Sequence, residues 1–245
     1  MTIAARFEDE LTAAARRGLD GPELLPERLA RAAAAMLPVD AAGMSLLGDA
    51  EQRVPLGSSS EVAAAAERLQ FTVGDGPCMA AQRSGEPVLA AEEDLRRRWP
   101  VFAEQLFEET PFRGVVGLPL HRALAGIGAM DLYFERAERI AELDVFEAMA
   151  VGELITAHLS EAAVFSTWSQ SEGPEWLRAP AARRRARVWE AIGRLSLDLA
   201  VDGPSALALM RAHAFAADRK VDDVAADLLS RRLGPDDLRA AGAQA

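Results

Sequence analysis

Ala191-Ile-Gly-Arg-Leu195 and Asp223-Val-Ala-Ala-Asp-Leu-Leu229 decide how this chain is interpreted, because they lie in a run of short amphipathic segments near the C-terminus. Apolar residues recur at helical spacing in three groups, which are Val188, Ile192, Leu195 and Leu199; Leu207, Met210, Ala214 and Ala217; and Val221, Val224, Ala225, Leu228 and Leu229. Asp202-Gly-Pro-Ser205 separates the first two groups, and Gly234-Pro235 follows the third. The pattern predicts an all-α unit of three helices over residues 181–235.

Charge is divided unevenly along the chain. The 245 residues contain 27 Lys and Arg against 38 Asp and Glu, which gives a net charge of −11. From Arg178 onward there are 12 basic and 9 acidic residues, so the preceding 177 residues hold 15 (27 − 12) and 29 (38 − 9). This asymmetry favours a C-terminal unit that contacts a polyanion and an N-terminal body with another role.

The C-terminal segment resembles the ANTAR family, the antitermination domains of bacterial regulators, over about residues 180–233. The residues that carry the resemblance are Ala191-Ile-Gly193, Ala206 with Leu209-Met-Arg211, Arg219-Lys-Val221 and Asp223-Val-Ala-Ala226. The resemblance implies a three-helix bundle that binds tandem RNA hairpin loops of nascent transcripts and prevents a terminator from forming.

Basic side chains of this segment are the candidate RNA contacts, because guanidinium and ammonium groups bind phosphate. Arg211, Arg219 and Lys220 are the first candidates. The further candidates are Arg183, Arg184, Arg185, Arg187, Arg194 and His213.

Two other functions stay open for the C-terminal unit. Asp218 and Asp222 lie beside Arg219 and Lys220, where carboxylates repel phosphate, so the bundle could instead serve dimerisation or protein binding. The arginines at residues 183–187, at the start of the C-terminal segment, could also pair with acids elsewhere in the chain. A DNA-binding repressor is less favoured, because the helix that would enter DNA carries several Asp residues and few groups that read bases.

The N-terminal body alternates helical and strand patterns. Helices are predicted at 3–17, 23–36, 61–69 and 100–109, and strands at 39–47, 53–57, 114–121 and 126–134. The first two strands are expected to pair across a turn at Gly48-Asp49. Phe71-Thr-Val73 is predicted as a strand, followed by a Gly-Asp-Gly turn and a helix that begins at Pro77.

This body resembles a GAF domain over about residues 22–165. Five blocks carry the resemblance, namely Val73-Gly-Asp-Gly-Pro-Cys78, Gly85-Glu-Pro-Val88, Asp94-Leu95 with Arg98-Trp-Pro-Val-Phe102, Gly117-Leu-Pro-Leu120 and Gly128-Ala-Met-Asp-Leu-Tyr133. The resemblance implies an antiparallel sheet with helices on one face and a pocket for an unidentified small ligand on the other. The expected organisation is α+β, with an N-terminal helix (1–21), a GAF domain (22–165), a helix end and linker (166–180), an ANTAR domain (181–235) and a tail (236–245).

Cys78, Trp99, Phe102 and Met130 are the candidate pocket residues, although core packing explains them equally well. A helix N-terminus would lower the pKa of the Cys78 thiol. The alternative is that Cys78 packs as a small apolar residue.

Catalysis and cofactor binding are not expected from this sequence. A GAF-type methionine-sulfoxide reductase needs a second thiol to resolve the oxidised first, and the chain has one cysteine. His121, His158 and His213 show no zinc spacing, and His158 is interpreted as a packed helix residue in preference to a haem ligand. Glycine-rich phosphate-binding motifs are absent from the sequence. We therefore predict a non-enzyme without a covalent or metal cofactor.

Location and assembly are predicted from the apolar segments. The sequence has neither an 18-residue apolar stretch nor an evident signal peptide, and its single cysteine suits a reducing compartment, so a cytoplasmic protein without a membrane contact is expected.

A long helix at 142–168 is apolar on two faces, which predicts a homodimer. Gly173-Pro174 after it predicts a mobile joint.

Overall fold

The computed structural model describes residues 2–47, 53–165 and 173–242 and shows a mixed α+β fold. The helices are α1 (Ile3–Ala15), α2 (Leu25–Met36), α3 (Glu61–Val73), α4 (Pro77–Ser84), α5 (Glu92–Arg98), α6 (Pro100–Glu109), α7 (Val145–Phe165), α8 (Pro180–Leu199), α9 (Gly203–Ala216), α10 (Val221–Leu229) and α11 (Pro235–Gly242). The strands are β1 (Ala41–Leu47), β2 (Arg53–Ser58), β3 (Val88–Ala90), β4 (Gly114–Pro119) and β5 (Gly128–Phe134). Short 3-10 helices lie at Pro22–Leu24, Arg122–Leu124, Ala137–Glu142 and Glu175–Arg178.

The strands form one antiparallel sheet in the order β2-β1-β5-β4-β3. Leu46 of β1 pairs with Val54 of β2, and Met44 pairs with Met130 of β5. The predicted pairing of the first two strands and the predicted strands near 114 and 128 are therefore confirmed. The predicted turn at residues 48–49 lies outside the described residues.

Helices cover both faces of the sheet. Alternate strand residues such as Met44 and Leu132 pack against α1, α2 and α7, whereas Val115 and Tyr133 face the opposite way and pack against α3 and α6. The expectation of helices on one face and an open pocket on the other is therefore wrong. The second face carries its own apolar core because α3 and α6 supply Ala, Leu and Phe residues to it.

Phe71-Thr-Val73 is helical, so the strand predicted there is wrong. β-branched and aromatic residues favour strands, but α3 begins after the N-cap Ser60 and continues until Gly74, which adopts a left-handed conformation at φ 83°. Phe71 is fully buried on the last turns of this helix. Tertiary burial of Phe71 thus outweighs the local strand propensity, while the predicted helix beginning at Pro77 is confirmed.

The long helix α7 spans 21 residues from Val145 to Phe165, and its predicted continuation to Trp168 lies outside the described residues. Ala148, Val151, Ile155 and Leu159 are buried against the sheet. Phe146 and Val164 are instead 84% and 77% exposed. Among the described residues, none of the helices combines the length and the apolar character needed to cross a bilayer.

Trp176 fixes the chain after α7 to the N-terminal part of the molecule. Its side chain is 6% exposed within the core beneath the sheet. Its indole N–H donates a hydrogen bond to the Leu159 carbonyl at 3.1 Å. This packing, two residues after Pro174, does not fit the predicted mobile joint at Gly173 and Pro174.

The C-terminal part contains four helices, α8 to α11, instead of the predicted three. The fourth falls within the predicted tail at 236–245, which is a correction. Pro235 suits the first helical turn, and the Asp237 carboxylate accepts the Gly234 N–H at 2.8 Å. Leu238 of this helix is fully buried in the C-terminal core, so α11 is part of the bundle.

Gly57 allows α2 to pack closely against β2, and a substitution at this position tests that close packing. A Cβ at residue 57 would lie 2.4 Å from the Pro26 carbonyl carbon. We expect Gly57→Ala to lower the free energy of unfolding by about 1–3 kcal/mol, the usual effect of overpacking.

Gly193 is the matched control, since a Cβ there meets open space in the middle of α8. Gly193→Ala should raise stability by up to about 1 kcal/mol. Chemical denaturation would contradict the close approach if both variants behaved alike.

Candidate functional site

The C-terminal unit, defined as α8 to α11, packs on the N-terminal unit, defined as residues 2–165, around helix α3. Phe71 of α3 is buried among the apolar residues of the C-terminal core. The Arg185 guanidinium carbon lies 3.4 Å from the centre of the Phe71 ring, and Trp189 contacts the ring edge-on at 6.1 Å. Helix α3 therefore belongs to the cores of both units.

A charged cluster lies beside Phe71 and consists of Arg53, Glu67, Asp131, Arg185 and Asp222. Arg185 is 1% exposed, although it is an arginine on a helix of the C-terminal unit. Its Nη1 donates to the Arg53 carbonyl oxygen at 2.9 Å, and its Nη2 donates to both Glu67 carboxylate oxygens at 3.1 and 3.3 Å. Buried charges are stabilised only when they are paired and hydrogen-bonded, so these contacts set the position of α8.

The Arg53 side chain connects the cluster to the sheet. Its Nε lies 3.2 Å from Glu67, and its Nη2 donates to Asp131 on β5 at 3.1 Å. Arg53 and Asp131 are each 2% exposed and Glu67 is 5% exposed. The N-terminal unit therefore contributes one guanidinium and two carboxylates to a site from which water is largely excluded.

Asp222 is the outermost member of the cluster. Its carboxylate lies 3.9 Å from the Arg185 Nε. Burial raises the pKa of Asp222, while the nearby Arg185 acts in the opposite direction. Burial likewise raises the pKa of Asp131, and Arg53 again opposes the shift. At both carboxylates, burial thus opposes the charged form and a neighbouring guanidinium favours it.

Gln70 and Cys78 continue the polar network behind the cluster. Gln70 donates from Nε2 to Asp131 at 3.1 Å and accepts the Cys78 backbone N–H at 3.0 Å. Cys78 is fully buried beside Ala129. Burial, followed by the charge of Asp131, raises the pKa of the Cys78 thiol. The lower pKa expected from the helix N-terminus is therefore wrong, and the packing interpretation of Cys78 is the better one.

The predicted pocket residues do not come together. Trp99 and Phe102 pack on the α3 side of the sheet, whereas Met130 packs on the α7 side. Met130 lies between Ala129 and Asp131 on β5, and successive strand residues point to opposite faces. Arg53, Glu67 and Asp131 are not among the site residues that the sequence predicted. Asp131 within the apolar strand Gly128–Phe134 was the available signal, since a buried strand carries a charge only when it is paired.

The three first RNA-contact candidates are engaged with other groups in this structure. Arg211 donates from Nε and Nη2 to the Phe71 carbonyl oxygen at 3.3 and 3.1 Å. Arg219 forms an ion pair with Asp227 at 2.8 Å, and Lys220 forms one with Glu109 of α6.

The remaining candidates differ in exposure. Arg185 is buried, which contradicts its assignment as an RNA contact in this arrangement. Arg194 lies 3.6 Å from Asp198, and His213 is half-buried. The side chains of Arg183, Arg184 and Arg187 on α8 are exposed to solvent.

A cleft of about 440 Å³ runs beside the cluster between α3, α8 and α10. It is lined by Glu61, Arg68, Arg184, Arg187, Asp222 and Asp223. Its arginines and carboxylates balance, so the cleft has no strong preference for an anion or a cation. The described part of the chain contains no group of His, Cys, Asp and Glu side chains arranged to hold a metal ion.

Comparison with solved structures finds likenesses to GAF domains. The chain is similar to the GAF domain of an Acinetobacter phosphoenolpyruvate-protein phosphotransferase, with 14% identity and a TM-score of 0.43 over 66% of this chain and 96% of that one. It is also similar to the GAF domain of the corresponding Coxiella burnetii enzyme, with 15% identity and a TM-score of 0.44 over the same shares. The sequence matches no protein-family model and no curated protein.

Removing the Asp222 charge should stabilise the protein at neutral pH. Asp222→Asn leaves two guanidinium groups facing two carboxylates in the cluster. Because burial raises the pKa of Asp222 above 3.8, the folded protein holds more protons than the unfolded chain between 3.8 and the raised pKa. This group therefore makes the free energy of unfolding fall as pH rises through that window. We expect Asp222→Asn to exceed the wild type in stability above the window and to equal it below.

Glu67→Gln is the matched control, because Glu67 accepts the direct hydrogen bonds of Arg185. It should lower the free energy of unfolding by about 3–5 kcal/mol, the usual cost of removing one partner from a buried ion pair. Denaturation across pH would contradict this account of the cluster if Asp222→Asn proved the more damaging change.

Proposed function

We propose that this protein is a non-catalytic regulator of transcription in which an N-terminal GAF-type unit senses a small ligand and controls a C-terminal ANTAR-type unit. The C-terminal unit would bind tandem RNA hairpin loops of nascent transcripts and act as an antiterminator. The proposal is supported above all by the docking of α8 to α10 on α3, which engages Arg211 and Lys220 with groups of the N-terminal unit.

The two units agree with the resemblances on which the proposal rests. Two of the N-terminal blocks lie on the neighbouring strands β4 and β5 of the five-stranded antiparallel sheet, and Gly128–Phe134 forms its central strand. The predicted helices of the C-terminal segment correspond to α8, α9 and α10.

Docking suggests how sensing would control RNA binding. Phosphate contacts require free basic groups, and Arg211 and Lys220 are used here in contacts between the units. The exposed Arg184 and Arg187 remain available for a first encounter with RNA. We therefore assign the described arrangement to low RNA affinity. A ligand that favours an undocked arrangement would raise that affinity, provided that it binds the two arrangements differently.

A protein-interaction module is the second candidate function. Asp227 accepts hydrogen bonds from Arg219 at 2.8 Å and from Arg232 at 2.6 Å, and both arginines hold the pKa of Asp227 below its usual value. Asp222 lies against Arg185. Carboxylates that neutralise the basic groups in this way favour a unit that contacts protein instead of RNA.

The RNA experiment measures the affinity of the full-length protein for a tandem hairpin-loop RNA and for duplex DNA of equal length across a salt series. Without a ligand we expect binding to the RNA and not to the DNA, at the low affinity assigned to the docked arrangement and falling steeply as salt rises. Arg219→Glu with Lys220→Glu should abolish it. If neither the wild type nor Asp227→Asn bound the RNA, the result would favour the protein-interaction function instead.

Asp227→Asn should raise RNA affinity several-fold, because it frees Arg219 and Arg232 and removes a negative charge beside them. Asp236→Asn is the matched control, since Asp236 pairs with Arg239 in the exposed first turn of α11. The two variants carry the same net charge. An equal effect of both on affinity would argue against a phosphate contact at Arg219.

The protein is also proposed to form a homodimer through α7. Phe146 and Val164 are large apolar residues that remain exposed on this helix, while its other side packs on the sheet. We expect the wild type to have a dimer mass by light scattering at micromolar concentration and Phe146→Glu to have a monomer mass. Leu197→Glu, at the equally exposed Leu197 of α8, should remain dimeric. A monomeric wild type would refute the dimer.

A further inference from the structure

We propose that Arg185 occupies a cation-binding site that belongs to the N-terminal unit, and that a small guanidinium ligand can take its place. The site is the space filled by the Arg185 guanidinium between β2 and α3. Its regulatory consequence rests on the proposed function, because a ligand that displaces Arg185 would weaken the docking of the C-terminal unit. The site itself requires no RNA binding.

The groups that accept hydrogen bonds from the Arg185 guanidinium and the ring on which it stacks come from the N-terminal unit, whereas Asp222 of the C-terminal unit lies farther away, 3.9 Å from Nε. Glu67 supplies a carboxylate at 3.1 and 3.3 Å, and the Arg53 carbonyl supplies a second acceptor at 2.9 Å. Phe71 supplies an aromatic ring whose centre lies 3.4 Å from the guanidinium carbon. A carboxylate, a carbonyl and a ring face together match the in-plane donors and the flat face of a guanidinium.

Charge balance shows that the site needs a cation. Without Arg185, the N-terminal unit places Arg53 against Glu67 and Asp131, which leaves a net charge of −1 (+1 − 2) among side chains that are 2%, 5% and 2% exposed. An uncompensated buried charge is strongly destabilising. Arg68 does not complete the balance, because it lines the neighbouring clefts beside Asp222, where it lowers the pKa of that carboxyl.

The shape of the contacts selects a guanidinium over an ammonium or a metal ion. Nη1 and Nη2 of Arg185 bind two acceptors on different elements, the Arg53 carbonyl on β2 and the Glu67 carboxylate on α3. An ammonium is a point charge and does not present a planar pair of donors. A metal ion would gain little from the Phe71 ring and would find one carboxylate and one carbonyl among the groups that now bind Arg185.

Displacement of Arg185 would act on the same segment that holds the C-terminal unit elsewhere. The Phe71 carbonyl accepts the Arg211 side chain, and the Thr72 hydroxyl accepts the Val221 N–H at 3.2 Å. Arg185, Arg211 and the start of α10 therefore all contact the part of α3 between Glu67 and Thr72, which is less than two helical turns long. A ligand that replaces the first contact makes the others easier to break, which couples the site to the basic groups proposed to bind RNA.

The test is rescue of Arg185→Ala by guanidinium, read by thermal unfolding of the full-length protein. We expect Arg185→Ala to lower the Tm by about 10 °C, because it leaves a buried carboxylate unpaired. Guanidinium or methylguanidinium chloride at low millimolar concentration should recover several degrees of this loss in a saturable manner. Sodium chloride at equal ionic strength should not. Wild-type protein, whose site is filled, should show no such gain.

Arg185→Ala with Glu67→Gln is the matched control, because it also removes the negative charge that attracts the cation and should not respond to guanidinium. If Arg185→Ala does not fold, Arg185→Gln, which also lacks the positive charge, is titrated in the same way. Equal effects of guanidinium and sodium on the Tm of the single variant would overturn the site. Since RNA is not used, failure of this rescue is distinct from a failure to bind RNA.

Discussion

Arg185 is a charged side chain with almost no exposure to water, and its burial is the constraint on which the arrangement of the two units depends. A guanidinium remains charged in proteins, so it must meet acceptors wherever it is buried. Glu67 and the Arg53 carbonyl meet this demand. Breaking a buried pair by removing one partner costs about 3–5 kcal/mol, a large part of the stability of a typical domain. Helix α8 is consequently held at one position on α3.

Helix α3 is shared between the N-terminal and C-terminal units as a result. Its residues before Gln70 pack under the sheet, while Phe71 enters the C-terminal core. Gly74 ends the helix and allows Arg211 to approach, since a Cβ there would lie 2.8 Å from the Arg211 guanidinium carbon. A ligand near β2 and α3 would therefore act directly on the interface, without a separate path of transmission between distant sites.

The basic residues of the C-terminal unit fall into three groups with different physical roles. Arg185 is buried as a structural cation, and Arg211, Arg219 and Lys220 are engaged in local or inter-unit contacts. Arg183, Arg184 and Arg187 remain exposed. A positive segment can thus serve docking and polyanion binding with different residues.

The sequence by itself determined the parts of this structure that depend on neighbouring residues. Helical spacing predicted α8, α9 and α10, strand-like apolar segments predicted β1, β2, β4 and β5, and proline with glycine marked the beginning of α4. These signals are local because backbone hydrogen bonds and side-chain periodicity involve residues close in the chain or successive strands. Strand propensity failed at Phe71-Thr-Val73, where burial outweighs it.

Only the tertiary structure decided the function of the charged residues. Arg185 reaches Glu67 across 118 residues of sequence and Arg53 across 132. On a helical pattern, Arg185 is indistinguishable from its exposed neighbours Arg184 and Arg187. The difference in burial arises because α8 packs on α3 and β2. This packing depends on the surfaces of both units, and the spacing of residues within one helix does not predict it. Asp131 lies 78 residues from Arg53 in the sequence, so the cluster exists only after the chain has folded.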